Sequence, residues 1–326
     1  MSLPSEAKES NPKRNVAWRL DYRRLGNVVL SVAFLLLAVS PAVAIGILQP
    51  KGPVAAEQQL QMLRVAGITA IAVLPVLIGV PLIVWRYRRG KGGVYRPEFA
   101  YSRALELVMW GLPAVLVLIL GGWLWHSTSK LDPYVPLGPD PLRIEVIGLD
   151  WKWLFLYPEQ GLATVGSLVL PVNRPIELTL TTDTVMQSFM IPALAGQIYA
   201  MPGMVTRQNL MAESIGTMQG RNTQFNGVGF SGQTVVVETL SAADFERWTQ
   251  SQSKDPILDT SAYALLARAG TLEDVRQQFS IAQGAIVLNL ATPDLFDSVV
   301  ERYHHGQPIT SSLQPGAPDY SPGATR

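Results

Sequence analysis

Cysteine is absent from this 326-residue chain, and histidine occurs only three times. The first absence excludes disulfides, thiolate nucleophiles, iron–sulfur clusters and any Cys-ligated zinc or copper. The second leaves too few imidazoles to assemble a Ser/His/Asp set. His126 ends an apolar run and reads as interfacial, while His304 and His305 are adjacent in sequence and so do not share a helix face. Charge is scarce as well. Asp, Glu, Lys and Arg together make 16% of the chain, and the net charge is +1. No bulk field or basic aromatic patch is available to gather nucleic acid. No Gly-rich phosphate motif occurs. Asp140, Glu145, Asp150 and Glu159 are scattered, without the pairing that carboxylate acid–base chemistry needs. Low charge combined with 48% hydrophobic residues points instead to a membrane protein.

Apolar runs supply the first positive signal. A basic start (Lys13, Arg14, Arg19, Arg23, Arg24), the apolar stretch Val28–Val39 and the small triplet Ala42-Val43-Ala44 together read as a secretory signal peptide over residues 1–44. Apolar residues continue to Leu48, so an uncleaved signal anchor remains open. Val65–Trp85 and Leu107–Trp125 are each long enough to cross a bilayer as a helix. Pro75 and Pro81 inside the first are tolerated in membranes, and Trp110, Trp123 and Trp125 suit the interfacial belt. Between the two lie Arg86, Arg88, Arg89, Lys91, Arg96 and Arg103, which place this loop on the cytoplasmic side. Residues 45–130 therefore read as a transmembrane helical hairpin, with the rest of the chain extracytoplasmic.

From Leu142 the period changes from helical to two-residue alternation. Strands are expected at Leu142–Ile147, Asp150–Tyr157, Ser167–Leu170, Ile176–Thr182, Gln187–Ile191, Val205–Met211 and Thr234–Leu240. So many short strands imply an all-β sandwich over residues 140–250. Residues 251–305 carry helical patterns, after a short helix at Phe245–Ser251, and the Pro- and Ser-rich stretch 306–326 reads as a disordered tail. The fold class is an α+β membrane protein. One stretch stands out, Gly216–Gly232, with glycines at 216, 220, 227, 229 and 232. It has the flexibility of a ligand-presenting loop, yet offers Asn222, Gln224, Asn226, Phe230 and then Gln233, with no Cys, His, Asp or Glu.

A resemblance rests on the order of these parts and on specific segments. Asp150-Trp-Lys-Trp-Leu-Phe-Leu-Tyr-Pro-Glu-Gln-Gly161, Val185-Met-Gln-Ser-Phe189, Gln197-Ile-Tyr-Ala-Met201, Gly227-Val-Gly-Phe-Ser-Gly232 and the stretch Pro293–Phe296 resemble subunit II of the haem–copper terminal oxidases, most closely its quinol-oxidase branch of cytochrome bo type. The likeness spans roughly residues 50–250. The lipid-modified Cys that some relatives carry after the signal is absent here.

The resemblance implies a cupredoxin-like sandwich with a small C-terminal helical extension. It implies a bacterial inner-membrane location, with the large domain periplasmic and the bilayer and oxidase subunit I as partners. Haems and copper are expected in that subunit, with quinol used by the whole complex. In the cytochrome c oxidase branch such a domain holds a binuclear copper centre. Its ligand positions fall here at Gln187, Asn222, Gln224, Asn226, Phe230 and Gln233. Amides and a phenyl ring cannot replace thiolates and imidazoles, so no cofactor is expected in this chain. Glu106 resembles a carboxylate at the entrance of a proton channel, and a charge snorkelling at the interface is the plainer reading. Trp151 and Trp153, alternating about Lys152, are expected on one strand face, for packing and docking onto subunit I. A different class stays open: a stand-alone membrane-anchored cupredoxin-like binding or copper-carrier module, for which Met201, Met204, Met211 and Met218 are the only cluster-like set, although apolar packing explains them more simply.

Overall fold

The computed structural model describes residues 48–87, 101–252, 256–281 and 284–303. The expected signal segment over 1–44, the basic residues 88–96 and the expected tail from 306 lie outside the described residues.

The two apolar runs form helices α1 (Pro53–Arg86) and α2 (Arg103–Lys130). Pro53 at the first turn of α1 leaves no donor unsatisfied there. Pro75, Pro81 and Pro113 are accommodated without a break. At 1.5 Å per residue the helices run about 50 and 40 Å, more than the roughly 30 Å of hydrocarbon. Near the start of α1 and the end of α2 a ladder of polar pairs joins them. Lys130 Nζ bonds Glu57 at 2.7 Å, Ser127 Oγ donates to Gln61 at 3.1 Å, and the Arg64 guanidinium lies over the Trp123 ring at 5.8 Å. Apolar side chains along the rest of both helices face outward.

Beyond α2 the chain forms a sandwich. The strands are β1 (Leu142–Leu149), β2 (Lys152–Tyr157), β3 (Leu162–Val165), β4 (Ser167–Pro171), β5 (Ile176–Thr182), β6 (Gln187–Ile191), β7 (Ala195–Ala200), β8 (Thr206–Leu210), β9 (Gly216–Asn222) and β10 (Thr234–Leu240). The remaining elements are α3 (Ala242–Gln250), β11 (Ile257–Leu258), α4 (Thr260–Leu266), α5 (Leu272–Gln278), β12 (Ile286–Leu290) and α6 (Leu295–Glu301). One sheet has the order β11-β12-β3-β2-β1-β5-β8, the other β4-β10-β9-β6-β7. Between them lies a core that includes Leu142, Ile144, Trp153, Phe155, Tyr157, Phe189 and Val235. Tyr157 ties the sheets together: its hydroxyl donates to Val169 O at 3.1 Å and accepts from Val169 N at 2.9 Å.

The stretch 251–305 is more than helical. Its strand β12 pairs antiparallel with β3, Ile286 opposite Val165, and so extends the larger sheet. A second core forms on that sheet's outer face, where Ile147, Leu149, Leu154 and Leu156 meet Tyr263, Leu266, Phe296 and Val299. The continuous apolar run Trp153–Tyr157 of β2 and the apolar end of β1 from Val146 follow from this, since both faces are covered there.

The start of α1 is stitched to the sandwich. Lys51 N donates to Ala193 O, Glu213 N to Lys51 O, and Ala55 N to Leu194 O. Gly52 is required there, because a Cβ would overlap the carbonyl of Met211. This attachment is at the end of the sheets where β6 and β8 finish. The Gly-rich stretch starts at this same end beside Lys51, and its later part, from residue 223, lies at the other end, where β6, β8 and β10 begin.

Candidate functional site

At that second end four of the six resembling positions come together. Gln233, 1% exposed, sits at the centre. Its Nε2 donates to Gln187 Oε1 at 2.6 Å, and its Oε1 accepts from Asn222 Nδ2 at 2.9 Å and Asn226 Nδ2 at 2.8 Å. Gln187 Nε2 in turn donates to Leu149 O at 3.1 Å. Asn222 Oδ1 accepts from the backbone of Ser188 and Gln224, each at 3.0 Å. Such satisfaction is what burial of amides demands. Gln187 is placed by the start of β6, Asn222 by the end of β9 and Gln233 by the turn into β10.

The other two positions lie outside the network. Gln224 joins only through its backbone N–H. Phe230, in a short 3-10 turn Phe230–Gly232, packs edge-on against Phe225 at 5.6 Å. The donor set does not fit a binuclear copper centre. It offers no thiolate and no imidazole, only amides and a phenyl ring, and Gln187, Asn222, Asn226 and Gln233 bond one another. The four methionines do not form an alternative site. Met201 and Met204 flank the start of β8, Met211 follows its far end, and Met218 is 8% exposed inside the core.

Two expectations need correction. Trp151 and Trp153 do not share a strand face. Strand β2 begins only at Lys152, and Trp151 occupies the β1–β2 turn with φ +65°. Trp153 is fully buried, edge-on to Phe189 at 5.0 Å. Trp151 lies on the Gly-rich loop instead, and its Nε1 donates to Asn226 O at 3.2 Å. The second correction concerns the loop itself. Residues 216–222 are strand β9, paired with β10, so the true loop is 223–233. Gly229 serves Trp151, since a Cβ there would overlap the indole, and Gly227 adopts φ +116° under the same ring.

Lys152, between the tryptophans, is a site residue that sequence reasoning passed over. It is 2% exposed, and its Nζ donates to Arg268 O at 2.7 Å, Asp150 O at 3.1 Å and Gly270 O at 3.2 Å. Burial pulls its ammonium down to about 8, against the opposing pull of Asp150 and Asp274. Nearby, Asp183 is wholly buried and accepts from Tyr263, Tyr303 and both contacts of Arg302. Lys152 and Asp183 thus fasten the C-terminal extension to the network end. The alternation of Trp and Lys gave no hint that the cation points inward.

Around the network the same end is apolar and open. Val228 is 94% exposed and Phe225 71% exposed, with Val185, Met204 and Val205 exposed on neighbouring loops. Glu106 lies far from all of this, in the first turn of α2, exposed, where Ser102 caps the helix by accepting from Leu105 N. A carboxylate is favoured at a helix start.

Fold and site together define two helices long and apolar enough to cross a membrane followed by a cupredoxin-like domain, the architecture of the oxidase second-subunit class. Residues 158–240 match the family Cytochrome C oxidase subunit II, periplasmic domain. The chain is 37% identical to the Cytochrome bo(3) ubiquinol oxidase subunit 2 of Pseudomonas putida, over 83% of this chain and 90% of that one. It is 35% identical to the Ubiquinol oxidase subunit 2 of Acetobacter aceti, over 89% and 91%. With the Quinol oxidase subunit 2 of Bacillus subtilis the identity is 36%, over 72% and 74%. The chain belongs to the ubiquinol oxidase subunit 2 family of the haem–copper oxidases.

Proposed function

We propose that this chain is the second subunit of a proton-pumping quinol oxidase, in which quinol from the membrane reduces O₂ to water. The haems and copper belong to the partner subunit I, and this chain carries no redox centre. The observation that carries the reading is the amide network. Where a copper-bearing relative would present ligands, Gln187, Asn222, Asn226 and Gln233 bond one another. Electrons delivered from the membrane make an aqueous relay at this end unnecessary. By this reading residues 1–44 are a signal segment, 45–130 the membrane hairpin and 140–250 the periplasmic domain, with 251–305 as its extension.

The roles of the chain are then assembly and positioning. The exposed apolar end around Phe225 and Val228, braced by Trp151, is the docking surface for subunit I, since contiguous apolar surface marks interaction sites. Trp153 packs the core beneath it. Glu106 supplies a carboxylate at the entrance of a proton channel that continues in subunit I. The test is Glu106→Gln and Glu106→Ala in the purified complex. Both are expected to lower turnover and proton pumping together while haem content stays unchanged. Undiminished turnover and pumping would remove the channel role. Recovery of the chain from detergent as a haem-free monomer would remove the oxidase reading itself.

A further inference from the structure

A cleft of about 260 Å³ opens where the outer ends of the hairpin meet the edge of the sandwich. The start of α1 (Val54, Glu57), the end of α2 with the coil after it (Lys130, Asp132) and strand β8 (Gln208, Asn209) line it. Its level in the membrane follows from the sequence. Trp125 ends the apolar run of α2, and Lys130 lies five residues further on, about 7–8 Å along the axis. The headgroup layer outside the hydrocarbon is of similar thickness, roughly 5–8 Å. The cleft therefore lies at the outer headgroup level.

Its chemistry is lopsided. Three of the lining residues have each committed one donor inside the protein: Lys130 Nζ to Glu57, Gln208 Nε2 to Gly196 O at 2.7 Å, and Asn209 Nδ2 to Pro133 O at 3.0 Å. Acceptors are in surplus. Gln208 is 3% exposed, and its Oε1 has no hydrogen-bond partner among the described residues. The bond from Nε2 to Gly196 O fixes which end of that amide is the oxygen, because a flip would set two acceptors against each other. Asp132 uses one carboxylate oxygen on Tyr134 N at 2.9 Å. Two carboxylates, Glu57 and Asp132, stand against one ammonium, Lys130, so the cleft carries a net negative charge. An acceptor-rich, net-negative cleft selects a cation rich in N–H donors.

We propose that this cleft holds the primary ammonium of a phosphatidylethanolamine headgroup from the outer leaflet. The three N–H donors of the ammonium meet the surplus acceptors. The lipid phosphate lies toward the Lys130 side, and the glycerol and acyl chains return along the apolar flank of α1 and α2. A trimethylammonium headgroup carries the same charge but has no N–H to give, so phosphatidylcholine binds poorly. The inference rests on both helices crossing the bilayer and is independent of the proton-channel role.

The experiment is native mass spectrometry of the purified, mildly solubilised oxidase complex, counting retained lipids. Wild-type complex is expected to keep one more phosphatidylethanolamine than the Asp132→Asn and Gln208→Met variants, at equal quinol turnover. Exchange into nanodiscs of phosphatidylcholine alone should empty the site in the wild type, an arm that needs no variant. Free ethanolamine at millimolar concentration should not displace the lipid. Equal retention in wild type and variants, equal retention of the choline lipid, or displacement by free ethanolamine would each overturn the proposal. If the chain purifies without a haem partner, the same lipid count on the chain alone still decides this inference, and only the oxidase reading fails.

Discussion

Gln233 Nε2 donates to Gln187 Oε1 across 2.6 Å, joining the start of β6 to the start of β10 at the core of the loop end. The same Gln233 accepts from Asn222 and Asn226 through its other amide atom. A single side chain thus bonds three others, of which Gln187 and Asn222 are buried and Asn226 half-buried. Replacing Gln233 with Leu keeps the volume and strips those partners at once. An unmet buried polar group costs about 1–3 kcal/mol, so we expect a loss of about 3 kcal/mol in stability, read by thermal unfolding of the purified chain. Gln187→Leu should cost less, because only one side-chain bond of Gln233 is lost. A Gln233→Leu variant that melts with the wild type would mean that the network contributes no stability.

Trp151 and Gly229 make a second prediction, stated as a cycle. Gly229→Ala forces a Cβ into the indole and should destabilise the loop by about 1–3 kcal/mol, the usual cost of overpacking. In a Trp151→Ala background the same substitution should be nearly neutral, since the ring that it strikes is gone. Additive effects of the two changes would show that the glycine is needed for some other reason.

These residues also show what the sequence could and could not tell. Strands Ile176–Thr182, Gln187–Ile191 and Thr234–Leu240 lie at the expected positions, and Thr234–Leu240 alternates between core and solvent along its length. Strand β9 was hidden, because Gly216 and Gly220 read as loop punctuation although they sit in a paired strand. Strand β12 was hidden in a stretch read as helical, since pairing with β3 is a tertiary choice that local pattern does not record. The two tryptophans were misread for a backbone reason: the positive φ of Trp151 ends the alternation one residue before β2 begins. The site positions were legible only through resemblance. That Gln187 and Gln233 bond each other depends on how the chain folds across a separation of 46 positions.

Asp183 is the third case. It is wholly buried on the loop after β5, and Arg302, Tyr263 and Tyr303 converge on it from the C-terminal extension. Removing one partner of a buried pair leaves the other uncompensated, which costs about 3–5 kcal/mol when both are enclosed. Arg302 is 28% exposed, so water recovers part of that cost. Asp183→Ala should therefore destabilise by about 3 kcal/mol. It should also raise amide exchange over residues 256–303 far more than in the sandwich core. Uniform exchange throughout the domain would show that the extension is not held by this clamp.

Glu145 gives the last prediction, one of pH. It lies on the outer face of β1, beneath α6, with Asp294 and Asp297 nearby and with no partner for its Oε2 among the described residues. Burial first, and then those two carboxylates, push its pKa up from 4.5 to about 7. In the folded chain the group keeps its proton to about pH 7, whereas the unfolded chain releases it near 4.5. Between those values the folded state binds more protons, so stability must fall as pH rises through the window. Part of the effect is screened, because the side chain is only half-buried. Glu145→Gln removes the titration and keeps the shape. It should leave the melting temperature unchanged at about pH 4, raise it at pH 8, and flatten the profile between. Parallel wild-type and variant profiles from pH 5 to 8 would show that Glu145 ionises alike in both states, and that α6 does not confine its charge.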